Sequence, residues 1–417
     1  MGNKRRVVVT GLGVVSPVGS NVETFWQNLL DGYCGIETIT RFDTSDMPIK
    51  VAAFVKDFEP SDFGIEPAVV RKHDRFAVFA AAASAQAVKQ SGLDSSEGGN
   101  IDPMRFGVYM GTGIGGFETI YRECHKMATE GPKWVSPQFI PSIIGNIASG
   151  LIAIRHNACG PCLPAVTACA TSTHEIGEAF RAIKFGYADA IIAGGAEAPL
   201  IPIGVAGFAN MKALNKETDP KRACLPFSAD RAGFVMGEGA AALVLEEYEH
   251  AKARGAEILA EVVGYGNTCD AHHITAPRPD GVTQARCIKD ALNEACFDSS
   301  KDELYINAHG TGTHLNDISE TMAYKVALGD YAYKAHISST KSMTGHMFGA
   351  AGAVEAAVSV LALKNGVVPP TIGLDNPDPE CDLDYTPGKA VKADLTIAIS
   401  DSLGFGGHNG CVAFRKL

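Results

Sequence analysis

Five short apolar runs, at 6–10, 106–110, 190–193, 304–308 and 395–399, each give way at a glycine or small residue to a helical pattern. Such repetition admits few architectures and predicts α/β layering around buried sheets. Helical spacing is expected over 75–91, 175–185, 284–295 and 350–363. A seam is expected near 248–258, where a charged stretch (Glu249, His250, Lys252, Arg254) meets Gly255 and a new strand. It divides the chain into halves, residues 1–255 and 256–417. The run Ala190-Ile191-Ile192-Ala193-Gly194-Gly195 closes the first half much as Ile397 to Ser400, with Gly404, Gly406 and Gly407, closes the second, which hints at duplication. At 417 residues and 46% hydrophobic, the chain can bury a core of that size.

The charge balance excludes some functions. With 36 Lys and Arg against 47 Asp and Glu, the formal net charge is −11, which argues against a general nucleic-acid binder. An acidic partner must use a local basic patch, either Arg71-Lys72-His73 with Arg75 or Lys212 with Lys216, Lys221 and Arg222. The eleven cysteines are scattered, and Cys159-x-x-Cys162 has no second pair, so neither a disulfide framework nor a zinc site emerges. A reducing cytoplasm is expected. The basic start Met1 to Arg6 precedes an apolar stretch too short for a signal peptide, and Arg6 breaks the myristoylation pattern. No apolar run is long enough to span a bilayer, so a soluble protein is expected.

Cys169 stands where an apolar run ends and the small residues Ala170, Thr171 and Ser172 open a helical pattern. Unpaired NH groups and the positive end of the helix dipole there favour the thiolate, which makes Cys169 a candidate nucleophile reactive near neutral pH. Ser172 and Glu175 are expected to form a capping box. Two glycine-rich segments imitate dinucleotide-binding turns. Gly111 to Gly116 matches the spacing but opens a helix poorly and lacks a second strand ending in an acid, and Arg6 to Gly13 runs into Val14-Val15-Ser16-Pro17. Tyr305 to Thr313 instead places His309 where a strand runs into a glycine turn flanked by hydroxyls. Ser338 to His346 offers Lys341 and a second histidine in a polar loop before a helix, and Ser402 to Asn409 is a glycine-rich loop around Phe405 whose NH groups can face an oxyanion.

Together, Thr167-Ala168-Cys169-Ala170, His309-Gly310-Thr311, Lys341-Ser342-Met343-Thr344-Gly345-His346 and Gly404-Phe405-Gly406-Gly407 resemble the β-ketoacyl-acyl carrier protein synthases of type II, elongating condensing enzymes of the thiolase-like superfamily. The resemblance spans essentially the whole chain. It implies two thiolase-type halves in a five-layered α/β/α/β/α core, the first carrying the nucleophilic cysteine and the second His, Lys and His, as a homodimer. It implies a decarboxylative Claisen condensation between an acyl group on Cys169 and malonyl carrier protein in fatty acid elongation. His309 and His346 would promote decarboxylation, with Lys341 balancing charge and Glu355 as a structural acid. Backbone NH groups of Cys169 and Phe405 would form the oxyanion hole, and Phe405 would gate the acyl pocket.

The same resemblance places Ile114 in the acyl pocket, Thr275, Thr311 and Thr313 on the phosphopantetheine arm, and Arg71, Lys72 and Lys212 at the docking site for acyl- and malonyl-loaded carrier protein. No cofactor is required. Asn307, Glu355, Ser400 and Asp401 match positions that hold a monovalent cation, sodium or potassium, in some members. Ser172, Gly312, Asp401, Leu403 and His408 depart from the family pattern beside the site. A ketosynthase of a dissociated polyketide or aryl-polyene pathway would share these catalytic residues, and a non-catalytic chain-length partner would not retain them. Thiolases need a second catalytic cysteine, whereas Cys411 is expected on a closing strand. Initiation synthases use Cys-His-Asn, against the second histidine here.

Overall fold

The computed structural model describes residues 5–417, and the basic start at 1–4 lies outside the described residues. Its main sheet has nine strands: β1 (Val7–Val15), β2 (Phe106–Gly111), β3 (Ala190–Glu197), β4 (Gly239–Glu247), β5 (Ala260–Cys269), β6 (Leu304–Asn307), β7 (His336–Ser338), β8 (Ile397–Gly404) and β9 (His408–Arg415). Their order is β2-β3-β4-β1-β5-β9-β8-β6-β7. Five helices matter to the core: α1 (Arg75–Ser91), α2 (Thr171–Lys184), α3 (Val282–Glu294), α4 (His314–Leu328) and α5 (Ala351–Asn365). The expected elements form, but β1, β3 and β8 run on to Val15, Glu197 and Gly404, past the glycine or small residue expected to end them, and β8 turns back into β9 where a helix was expected.

The duplication hint becomes explicit in the pairing. From the centre outward, the first half runs β1-β4-β3-β2, antiparallel, antiparallel, then parallel, and the segment around Cys162 lies parallel to β2 through Val108. The second half runs β5-β9-β8-β6-β7 with the same sequence of antiparallel, antiparallel, parallel, parallel. A short antiparallel contact, Val7 to Val262 through Val9 to Ala260, joins the two.

Three apolar clusters separate the layers. One, with Val354, Val358 and Ile176, surrounds the central helices α2 and α5, which pack against each other and against strands of both halves. A second lies beneath α1 on the first half, and a third beneath α3 and α4 on the second. The result is five layers. Helix α5 is buried on all sides from Ala351 to Leu363, as an apolar helix between the two halves of the sheet must be. The imitation dinucleotide turn at Arg6 to Gly13 dissolves into this packing. Strand β1 continues through Gly11 and Gly13 after a register shift at Thr10, and a Cβ at these glycines would come within 2.0 Å of Ala87 O and 1.9 Å of Ala83 O on α1.

Candidate active site

Cys169 occupies a single 3₁₀ turn, Ala168–Ala170, that leads into α2. Ala168 holds φ +50°, a left-handed value that costs an alanine roughly 1–3 kcal/mol and marks a turn fixed by its surroundings. Those surroundings include the end of β8. Gly404 approaches so closely that a Cβ there would lie 2.4 Å from Thr167 O, and the following residue, Phe405, lines the same cavity as Cys169. Backbone NH groups of Phe405 and of Cys169 itself reach the sulfur.

The capping box does not form. Ser172 Oγ instead accepts from Ala353 N at 2.8 Å, tying α2 to α5, and Glu175 accepts from Ala165 N at 2.5 Å, bracing the segment before the nucleophile. Helix α2 has no side-chain N-cap. The expected acidity of Cys169 is also reversed. Burial pushes the thiol up to about 12 and Glu197 adds to the rise, against the opposing pull of Lys341 and the two NH groups. The helix end does not offset desolvation here.

His309 follows β6, and its backbone NH donates to Glu320 at 2.6 Å, with Gly310 NH donating to the other oxygen at 2.8 Å. His346 follows the helical turn Lys341–Thr344, and its NH donates to Val235 O at 2.7 Å while its carbonyl accepts from Gly237 NH at 2.8 Å. The two imidazoles meet edge to face, with centroids 5.4 Å apart and planes at 89°. Burial drives both well below the ordinary histidine value, and the Lys341 ammonium drives them further. At rest the site therefore holds a neutral thiol and two neutral imidazoles.

Cys169, His309 and His346 face one cavity of about 550 Å³. Ile114, Thr275, Thr311, Thr313, Phe405 and Lys212 line the same space. Lys341 is buried behind the histidines, outside this lining, bound to Glu355. It acts on the site through its charge. Arg71 and Lys72 are exposed at the end of the short helix Pro67–Lys72, away from the cavity lining.

The cation candidates also lie behind the site. Asn307 and Ser400 are register partners on adjacent strands, and Asn307 Oδ1, Ser400 Oγ and Glu355 Oε2 are buried without hydrogen-bond partners. Asp401 Oδ1 accepts from the Tyr324 hydroxyl at 2.9 Å. An all-oxygen set with three unused acceptors fits a hard cation, whereas no group of three His, Cys, Asp or Glu suited to a metal occurs among the described residues.

Several functional residues escape the sequence reading. Glu320 anchors the His309 loop, and Phe208, Phe234 and Phe348 pack as an aromatic cluster, with Phe234 and Phe348 against His346. Glu197 takes the NH groups of Gly113 and Ile114 at 2.7 and 3.1 Å, which closes the imitation dinucleotide turn at Gly111 to Gly116 to a phosphate. A helix does begin there, at Phe117, with Gly116 at its cap. The signals were present: Glu197 is a lone acid ending an apolar strand, and Asn316, Asp317 and Glu320 share a buried helical face.

The chain matches the descriptions "Beta-ketoacyl synthase, N-terminal domain" over residues 4–251 and "Beta-ketoacyl synthase, C-terminal domain" over 259–375. It is 49% identical over 416 residues to 3-oxoacyl-[acyl-carrier-protein] synthase 2 of Synechocystis sp., covering 99% of this chain and 98% of that one. It is 47% identical to the protein of the same description from Staphylococcus aureus, covering 100% and 99%. A ketosynthase solved in complex with its type II polyketide acyl carrier protein and bound to a hexaketide superposes with a TM-score of 0.91 at 35% identity, over the whole of both chains.

Proposed function

The chain belongs to the β-ketoacyl synthase family, and from that premise we propose that it elongates fatty acids as a 3-oxoacyl-[acyl-carrier-protein] synthase through the cysteine and two histidines of the cavity. The observation that carries this reading is Cys169, beneath two backbone NH groups, sharing one cavity with two neutral imidazoles.

In the first half-reaction the Cys169 sulfur attacks the thioester carbonyl of acyl carrier protein. The new C–S bond replaces the bond to the phosphopantetheine sulfur, which leaves as a thiol with the proton that Cys169 gives up. The anionic intermediate is held by NH of Cys169 and Phe405. In the second, malonyl carrier protein loses carbon dioxide and the electron pair becomes an enolate, whose oxygen takes hydrogen bonds from His309 and His346. A neutral imidazole, which donates one N–H, suits this task. The carbanion carbon attacks the acyl-enzyme carbonyl, the tetrahedral intermediate uses the same two NH groups, and collapse expels the Cys169 thiolate, which regains a proton from solvent. Thr311 and Thr313, 3.0 Å apart by their hydroxyls, face the arm together with Thr275. The test is intact-protein mass spectrometry with acyl carrier proteins of several chain lengths, then malonyl carrier protein. The expected result is an acyl adduct discharged as a β-ketoacyl product. No adduct with any straight chain would sink the reading.

The acidic carrier protein docks on Arg71, Lys72 and Lys212. Reversing charge at Arg71 and Lys72 should raise the apparent KM for carrier protein by roughly tenfold at low salt and far less at high salt. Unchanged KM removes the assignment. Asn307, Glu355, Ser400 and Asp401, joined by Glu320 through the shared Tyr324 hydroxyl, would hold a monovalent cation that supplies countercharge to these carboxylates. No cofactor takes part in the chemistry. The protein works in the cytoplasm as a homodimer. Leu163 and Val166 are exposed apolar groups on the segment that lies beside β2 at the edge of the sheet, which a second copy would cover. Sedimentation at the 43.8 kDa monomer mass would refute the dimer.

A further inference from the structure

Glu197 is a buried acid with no salt-bridge partner among the described residues. Its carboxylate takes four donors from two distant parts of the chain. Oε1 accepts from Thr112 Oγ1 at 2.8 Å and Ile114 NH at 3.1 Å; Oε2 accepts from Gly113 NH at 2.7 Å and Gly349 NH at 3.0 Å. Thr112 Oγ1 itself accepts from Gly115 NH at 3.1 Å, which leaves its own proton free to point at Glu197. The four donors favour the anion, against burial, which pushes the carboxyl above its ordinary value.

The donors belong to two walls of the cavity. Gly113 and Ile114 belong to the first half, and Gly349 follows Phe348 in the second. Phe348 sits at φ +47°, with its ring 4.8 Å from that of Phe208 and 4.9 Å from that of His346. The walls touch at Gly349, where a Cβ would come within 2.4 Å of Gly113 N and 2.7 Å of Glu197 Oε2. One carboxylate therefore holds both the Ile114 turn and the base of the Phe348 loop.

We propose that Glu197 is a positioning residue: an ionised clamp that fixes the distance between the Ile114 and Phe348 walls and so sets which acyl chains the Cys169 pocket accepts. The proposal rests on the condensing reading above. Its charge has a separate consequence, since an anion near Cys169 opposes an approaching anion as well as the thiolate.

The test is Glu197→Gln in the full chain, because glutamine turns one oxygen into a donor facing donors. Wild-type acylation across chain lengths is measured first, and absence of any Cys169 adduct there defeats the functional reading rather than the clamp. In the variant, the ratio of kcat/KM between preferred and disfavoured chain lengths should fall by about tenfold, the loss of one or two charge-assisted hydrogen bonds. The second readout compares alkylation of Cys169 by iodoacetate and by iodoacetamide. Loosened access speeds both alike, whereas loss of a negative charge raises the iodoacetate-to-iodoacetamide ratio several-fold. A folded variant that keeps the wild-type value of either readout overturns the proposal. If Glu197→Gln fails to fold, Thr112→Val removes one donor and keeps the charge, so the chain-length ratio should fall with the reagent ratio unchanged. An unaltered chain-length ratio in that variant overturns it equally.

Discussion

Replacing Cys169 with alanine should lower elongation by roughly 10⁴-fold or more and abolish the acyl adduct, with the fold intact. The alanine loses the only atom that forms a bond to the acyl group, yet leaves the turn, the Phe405 NH and both histidines in place. Decarboxylation of malonyl carrier protein without condensation should therefore persist. Because burial and Lys341 hold His309 and His346 well below the ordinary histidine value, that residual reaction should show no acid limb at the ordinary histidine pKa. Loss of decarboxylation in step with condensation would assign the enolate's hydrogen bonds elsewhere.

The second large effect is expected at Lys341. Its ammonium is buried against Glu355, so Lys341→Met leaves a carboxyl group without its countercharge and should cost about 3–5 kcal/mol in urea denaturation. Adding Glu355→Gln should recover most of that stability. Activity should not follow, because Lys341 also holds both imidazoles low. Without that positive charge protonation is easier, the histidine values rise, and the acid limb of the pH profile moves toward neutrality. A variant with the wild-type acid limb would show that Lys341 serves the fold alone.

The layers were legible in the sequence because strands buried on both faces read as apolar runs and their helices keep a 3.6-residue period. The span 75–91 is helical from end to end as expected. The four motifs were legible because each couples a reactive group to the small residues its turn requires. Two properties lay beyond local patterns. The acidity of Cys169 depends on desolvation by Phe348, Phe234 and Leu200, residues far from it in sequence, so the helix-end argument gave the wrong sign. Ser172 and Glu175 had capping chemistry and spacing, but α5 and the segment before the nucleophile competed for them and won.

The central layer bears on how the protein is made. Helices α2 and α5 lie between the two halves of the sheet, and part of what covers α2 and the inner face of the first half is contributed after residue 255, by α5, β5 and β9. A ribosome that has released only the first half has exported the nucleophile on a surface still missing its apolar cover. Final packing of the cysteine turn must then wait for synthesis of Ala351–Asn365 and the closing strands. The two halves repeat one pairing pattern but share the central layer, and separate expression of residues 1–255 should yield an insoluble or chaperone-bound product.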